Sequence, residues 1–252
     1  MEMKIDDELE VVSGRTLPEV DLLPQLKEIE GIISRTCEYF FKGNLVMKNS
    51  PFKGFILEGP PGTGKTEIIK QVARKLDRRL QTVSFLFVDG ASIAAPKWGD
   101  AEKKLRSIFR WIKKQSKNSK LLILFDDIES LMLTRGTELA KEWHYSINSI
   151  LFHEIDKLNP YKVIVCATTN RPDLVDEAIR TRLYPIQAPN LPLDQLMIAV
   201  NEILEASNMK NEDKKFVAEK IKEKLKKMEN PTIRDARQIT VMECIERRLW
   251  SV

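Results

Sequence analysis

Residues 59–66 read GPPGTGKT, between a short apolar run, FILE (55–58), and a segment from Thr66 to Leu76 with helical spacing. The pattern G-x-x-x-x-G-K-[ST] at a strand-to-helix turn constrains the fold more than any other stretch of the chain. Gly59, Gly62 and Gly64 allow the backbone to curl until successive N–H groups converge on an anion, and the start of the following helix adds its dipole. Lys65 can reach β- and γ-phosphates, and the Thr66 hydroxyl suits Mg²⁺. Gly59, Pro60, Pro61, Gly62, Thr63, Gly64, Lys65, Thr66 and Glu67 are therefore read as a nucleotide-binding segment, with ATP and Mg²⁺ as the expected ligands.

Such a loop needs an acid at the tip of a neighbouring strand. LLILFDDIES (121–130) supplies two, because five apolar residues of buried-strand character run straight into Asp126 and Asp127. Asp126 stands where a carboxylate holds magnesium, and Asp127 where one polarises an attacking water.

The rest of the alternation agrees with this placement. Strands are expected at 55–59, 82–90, 121–125, 161–169 and 183–189, with helices at 66–76, 100–114 and about 138–158 between them. That order implies an α/β sandwich, a parallel sheet with helices on both faces. A helix is expected from Leu26 to about Phe40, after a turn-rich stretch, SGRTLPEVDLLPQ. Beyond Pro189 three helical segments follow, at about 193–207, 212–229 and 232–250. In the second, Phe216, Val217, Ile221, Leu225 and Met228 form one apolar side and the lysines a solvated one. The third opens on Pro231, Thr232 and Asp235, resembling a capping box. The expected organisation is 1–50, a linker and helix; 51–190, an α/β nucleotide-binding domain; and 191–252, a small all-helical lid.

Composition narrows the alternatives. Forty-one basic residues against thirty-seven acidic ones leave a net charge of +4, which permits nucleic-acid binding without indicating it. The acidic start, MEMKIDDELEVV, lacks the blocks of a signal peptide, and no apolar run approaches the ~20 residues of a membrane helix. A cytoplasmic protein without a membrane partner is expected. Cys37, Cys166 and Cys244 are too scattered for a disulfide framework or zinc site, and His144 and His153 read as ordinary helix residues.

Several motifs in order resemble those of AAA+ ATPases, and more narrowly of the AAA family proper. GPPGTGKT resembles its Walker A motif, ILFDDIESLMLTRG its Walker B strand and following loop, and ATTNRPDLVDEAIRTRL (167–183) its sensor 1 and arginine-finger stretch. The resemblance implies that Asn170 is sensor 1, orienting the water, and that Arg182, with Arg180 as second candidate, reaches a neighbouring subunit's ATP. It departs from the family at Asp127, where the Walker B motif is usually Asp-Glu, and after Arg182, where RTRLYP replaces a longer arginine-containing stretch. NPTIRDARQ resembles the sensor 2 region, with Arg234, then Arg237, as the γ-phosphate contact. KWGDAEKKLRSIF resembles the first pore loop of protein-threading relatives, which assigns Lys97 and Trp98 to gripping an extended peptide.

The resemblance implies a homo-oligomer, a hexameric ring, with substrate or adaptor supplied in trans. About 50 residues precede the phosphate loop, which leaves no room for a separate recognition domain in this sequence. The leading expectation is an ATP-hydrolysing ring motor that remodels, unfolds or disassembles a protein, including the case of one dedicated partner as in the HORMA-remodelling branch. The alternatives are a DNA-linked ATPase of the initiator or helicase-loader type, supported by Asp-Asp and a sensor 2-like arginine, and a nucleotide-gated scaffold with slow turnover.

Overall fold

The computed structural model describes residues 10–43, 50–93, 99–131 and 138–249, of which 10, 138–146 and 248–249 are described by their backbone only. Two compact units are present. One comprises residues 1–20, 29–59 and 65–187, and the other 21–28, 60–64 and 188–252.

The first unit is built on a six-stranded sheet. Its strands are β1 (Glu10–Ser13), β2 (Gly54–Glu58), β3 (Val83–Asp89), β4 (Lys120–Asp126), β5 (Val163–Thr169) and β6 (Leu183–Gln187), arranged β1-β3-β4-β5-β2-β6. β2 to β6 are mutually parallel, as the strand–helix alternation predicts. β1 departs from that expectation. It lies in the stretch read as linker and adds an antiparallel edge strand, pairing Val11 with Leu86 and Val12 with Phe85. Four residues are too few for alternation to be legible, so only the sheet edge identifies this strand.

β2, β4 and β5 are buried along nearly their whole length, which is why they read as continuous apolar runs. Their alternate residues serve two layers. Ile56, Ile123 and Val165 join a cluster with Leu105, Ile108 and Phe109 of α4 (Asp100–Gln115) and Leu151 and Ile155 of α5 (Glu138–Asp156). The amphipathic α2 (Lys65–Leu80) buries Ile68, Ile69, Val72 and Leu76. It runs four residues beyond the expected Leu76, since Asp77 is also buried and fixed by the Ser13 hydroxyl (2.5 Å) and the Arg15 N–H (3.2 Å). Helix α1 spans Pro24–Phe41, and two four-residue helices, α3 (Gly90–Ile93) and α6 (Glu177–Arg180), follow β3 and precede β6.

The second unit contains α7 (Leu193–Ala206), α8 (Asn211–Lys226) and α9 (Ile233–Leu249). Its core includes Leu196, Val200, Leu204, Val217, Ile221, Leu225 and Ala236. Phe216 and Met228 were expected on the buried side of α8, but they are 58% and 38% exposed. Phe216 instead lies beneath the Arg247 guanidinium, 5.0 Å from ring centre. Met228 falls beyond the helix end. The predicted cap of α9 is reciprocal: Asp235 accepts from the Thr232 N–H and hydroxyl, at 2.8 and 2.7 Å, and the Thr232 hydroxyl accepts from the Asp235 N–H at 3.3 Å.

Candidate functional site

Parallel strands deliver their carboxyl ends to one edge, and here β4, β5 and β2 lie side by side in that order. The two acids therefore end one strand, Gly59 follows another, and β5 stands between them. Phe125 pairs with Ala167 and Glu58 with Thr169, so the residues just beyond these pairs are level.

Asp126 Oδ1 accepts two hydroxyl bonds, from Thr66 at 2.7 Å and from Thr168 at 2.6 Å. Thr66 lies in the first turn of α2, which begins at Lys65. The Lys65 ammonium is buried and donates to the Gly59 carbonyl and to Asn170 Oδ1, both at 2.8 Å. Asn170 Nδ2 in turn donates to Asp127 Oδ1 at 2.7 Å. Lysine, asparagine and the second aspartate thus form one hydrogen-bonded chain across three strand ends. Of the residues that the sequence singled out, Lys65, Thr66, Asp126, Asp127 and Asn170 are brought together.

The Asp127 backbone has φ +49°, in the left-handed region where aspartate is more at ease than most side chains. Its peptide is held at both ends, since its N–H donates to Thr168 Oγ1 at 3.0 Å and its carbonyl accepts from the Ser130 N–H at 2.8 Å. Burial pushes the Asp127 carboxyl above the ordinary aspartate range. The charges of Asp126, Glu129 and Asp89 add to this, and Lys65 opposes it.

Three residues of the site escaped sequence reasoning. Glu129 is 5% exposed and accepts the Asn170 N–H at 2.9 Å, and its Oε2 has no hydrogen-bond partner among the described residues. Thr168 is fully buried and touches both acids. Gly90 packs against the acids' backbone: a Cβ there would lie 2.5 Å from the Asp127 carbonyl oxygen and 2.9 Å from that of Asp126. The one available signal was that Glu129 follows the acid pair by two residues. Nothing local distinguishes Thr168 or Gly90.

The two arginines have different surroundings. Arg180 forms a fork with Glu58, whose carboxylate is fully buried and also accepts from Gln187 at 2.5 Å. Arg182 pairs twice with the half-exposed Asp156, at 2.8 and 2.7 Å, donates to the Ala178 carbonyl and lies over the Phe152 ring. Glu67 accepts from Gln71 at 2.7 Å.

Within the second unit, Pro60–Gly64 pack with the start of α9. The Arg234 N–H approaches the Gly62 carbonyl at 3.4 Å. Gly62 has φ +83°, and a Cβ on it would meet Arg234 Cβ and Thr232 Oγ1 at 2.8 Å. The Thr63 hydroxyl closes the loop onto the Pro60 carbonyl at 2.9 Å. Arg234 is exposed, and Arg237 is exposed a turn further on, near Glu202. Lys97 and Trp98 lie outside the described residues.

Comparison with known proteins identifies the family of this region. Residues 55–189 match the family described as "ATPase family associated with various cellular activities (AAA)". A proteasome-associated ATPase of Acidimicrobium ferrooxidans is 35% identical over 136 residues, covering 50% of this chain and 24% of that protein. An "AAA ATPase forming ring-shaped complexes" from Corynebacterium efficiens is 35% identical over 137 residues, covering 52% and 26%. The chain thus spans about a quarter of the length of these curated relatives. The ADP-bound FIGL-1 AAA domain superimposes with a TM-score of 0.67 over 94% of this chain and 75% of that one, at 22% identity, a likeness of fold. With more than half of its length matching the family, and Lys65 and Thr66 joined by hydrogen bonds to the cluster of two strand-end acids and Asn170, this chain belongs to the AAA family of ATPases.

Proposed function

We propose that the chain hydrolyses ATP at this centre and, as one subunit of a hexameric ring, uses turnover to remodel or disassemble a protein. The observation that carries the reading is the chain Lys65–Asn170–Asp127 beside the Thr66–Asp126 pair. A lysine for phosphate oxygens, a polar side chain and a carboxylate for the attacking water stand in one connected array, as an in-line attack requires.

Thr66 and Asp126 present hydroxyl and carboxylate oxygens 2.7 Å apart, the hard-oxygen chemistry that Mg²⁺ takes, so these two would hold it. Magnesium, when bound, neutralises charge on the phosphate oxygens. Lys65 binds the phosphates, Asn170 orients the water, and Asp127 accepts its proton. The raised proton affinity of Asp127 supports that last role. Arg182 is the trans-acting finger, and its exposed pairing with Asp156 leaves it free to exchange partners. Arg234, seated on the loop at Gly62, is the further γ-phosphate contact. The two compact units are taken as the α/β and lid parts of the module.

The ring rests on the resemblance and on the ring-forming relative. The gripping role of Lys97 and Trp98 rests on the resemblance alone. No helix among the described residues is long and apolar enough to cross a membrane. Steady-state hydrolysis by wild type and by Asp127→Asn tests the chemistry, and equal rates would refute it. Trp98→Ala with Lys97→Ala tests the mechanical part: protein unfolding should be lost with ATP turnover kept. Turnover stimulated by DNA with a steep salt dependence would point instead to a nucleic-acid partner.

A further inference from the structure

We propose that Thr168 is a positioning residue of the hydrolytic centre, whose hydroxyl locks Asp126 and Asp127 into a single unit; this rests on the ATPase reading above. The hydroxyl has one donor and two acceptor positions. It donates to Asp126 Oδ1 at 2.6 Å and accepts from the Asp127 N–H at 3.0 Å. One oxygen, fully buried in the middle strand of the site, therefore fixes the side chain of one acid and the backbone of the next.

The backbone is where this matters. Asp127 departs from the strand at φ +49°, a left-handed conformation that persists only where its surroundings over-determine it. Three bonds do so: Thr168 to its N–H, Ser130 to its carbonyl, and Asn170 to its carboxylate. The first is the one that sets the turn away from β4, and the turn aims the carboxylate at Asn170. Aspartate has a short side chain, so its oxygens follow the backbone closely and a change of turn moves them with it. Without the hydroxyl, the Asp127 N–H loses its acceptor, Asp126 keeps only Thr66, and the second acid is released towards an ordinary extended path. A displacement of about 1 Å at a reacting group costs on the order of 100-fold in rate.

The test compares Thr168→Val, which removes the hydroxyl at nearly constant volume, Thr168→Ala, which adds no atom, and Thr168→Ser, which restores the hydroxyl. For Val and Ala, kcat for Mg-ATP is expected to fall about 30- to 100-fold, with KM within about threefold of wild type. Ser is expected to recover most of the rate. Rates for Val and Ala within threefold of wild type, or a Ser variant no faster than Val, would overturn the proposal. A purely structural hydroxyl would lower thermal stability and leave this kcat-against-KM split unseen.

A double-mutant cycle on unfolding in urea, combining Thr168→Val with Asp126→Ala, which removes the acceptor, gives a reading independent of hydrolysis. Coupling of about fivefold in the unfolding equilibrium is expected, and additivity would overturn the proposal. Wild-type turnover no faster than Asp127→Asn would refute the ATPase reading alone, and the cycle would still decide the role of Thr168.

Discussion

Arg180 is committed to Glu58: its Nε and Nη2 donate to the two oxygens of a carboxylate with no exposed surface, at 2.9 and 3.2 Å. Arg182, two residues on, spends its guanidinium on the half-exposed Asp156. The Glu58 carboxylate is fully buried, whereas that of Asp156 is about half exposed. Removing one partner of a buried pair costs about 3–5 kcal/mol, whereas an exposed pair contributes about 0–1 kcal/mol. Arg180→Ala, which leaves the fully buried Glu58 carboxylate without its guanidinium, is expected to lower the urea midpoint more than Arg182→Ala. If Arg182 is the finger, its alanine variant should lose on the order of 1000-fold in turnover in the assembled state while remaining folded. Near-normal turnover from folded, assembled Arg182→Ala would assign the finger elsewhere.

Asp127 links stability to pH with a definite sign. Its native carboxyl binds a proton more tightly than in the unfolded chain, because burial and the neighbouring Asp126 and Glu129 charges raise its pKa. The ionised form therefore costs stability above the native pKa, and that cost vanishes below the ordinary aspartate value. Metal- and nucleotide-free Asp127→Asn should melt higher than wild type at neutral pH, with the gain shrinking as the solution is acidified. In the pH profile of kcat/KM, the acid limb should lie above the ordinary aspartate value, rising as Asp127 loses its proton.

Asp127→Glu would bring the acid pair to the more familiar Asp-Glu. A positive φ is better tolerated by aspartate than by glutamate. The longer side chain would also overshoot the 2.7 Å bond from Asn170. Turnover equal to or below wild type is expected. A clear increase would mean that the short acid, not the backbone turn, limits the rate.

Glu129 holds the Asn170 N–H, and one of its oxygens is buried without a partner among the described residues. Glu129→Gln keeps an acceptor for that N–H and removes a buried charge, so its thermal midpoint should match or exceed that of wild type. Glu129→Ala leaves Asn170 loose and should cut kcat about tenfold or more. Equal kcat values for the alanine and glutamine variants would remove Glu129 from the positioning of Asn170.

Gly62 and Gly90 give steric tests. An added methyl at Gly62 meets Thr232 and Arg234 at 2.8 Å in a backbone region that disfavours side chains, so Gly62→Ala should weaken ATP binding measured by titration. At Gly90 the methyl would press on the carbonyls of both acids, so Gly90→Ala should lower kcat more than affinity. Unchanged binding by Gly62→Ala would show that the loop can shift without cost.

Much of this centre was legible in the residues alone. The phosphate loop and the acid pair are encoded within short stretches whose spacing relative to a strand end carries the geometry, whereas Asn170 was reached only through the resemblance of 167–183 to AAA+ ATPases. The parallel order of β2 to β6 follows from strands alternating with helices, and the α9 cap from Thr232 and Asp235 three residues apart. These are local facts, because the chain's own period brings such residues together. Tertiary structure alone decided the rest. Thr168 reaches Asp126 across 42 residues of sequence, Arg180 finds Glu58 across 122, and β1 becomes a strand only by lying against β3. Their roles depend on which strands become neighbours at one sheet edge, and neighbours across a sheet share no periodic signature along the chain.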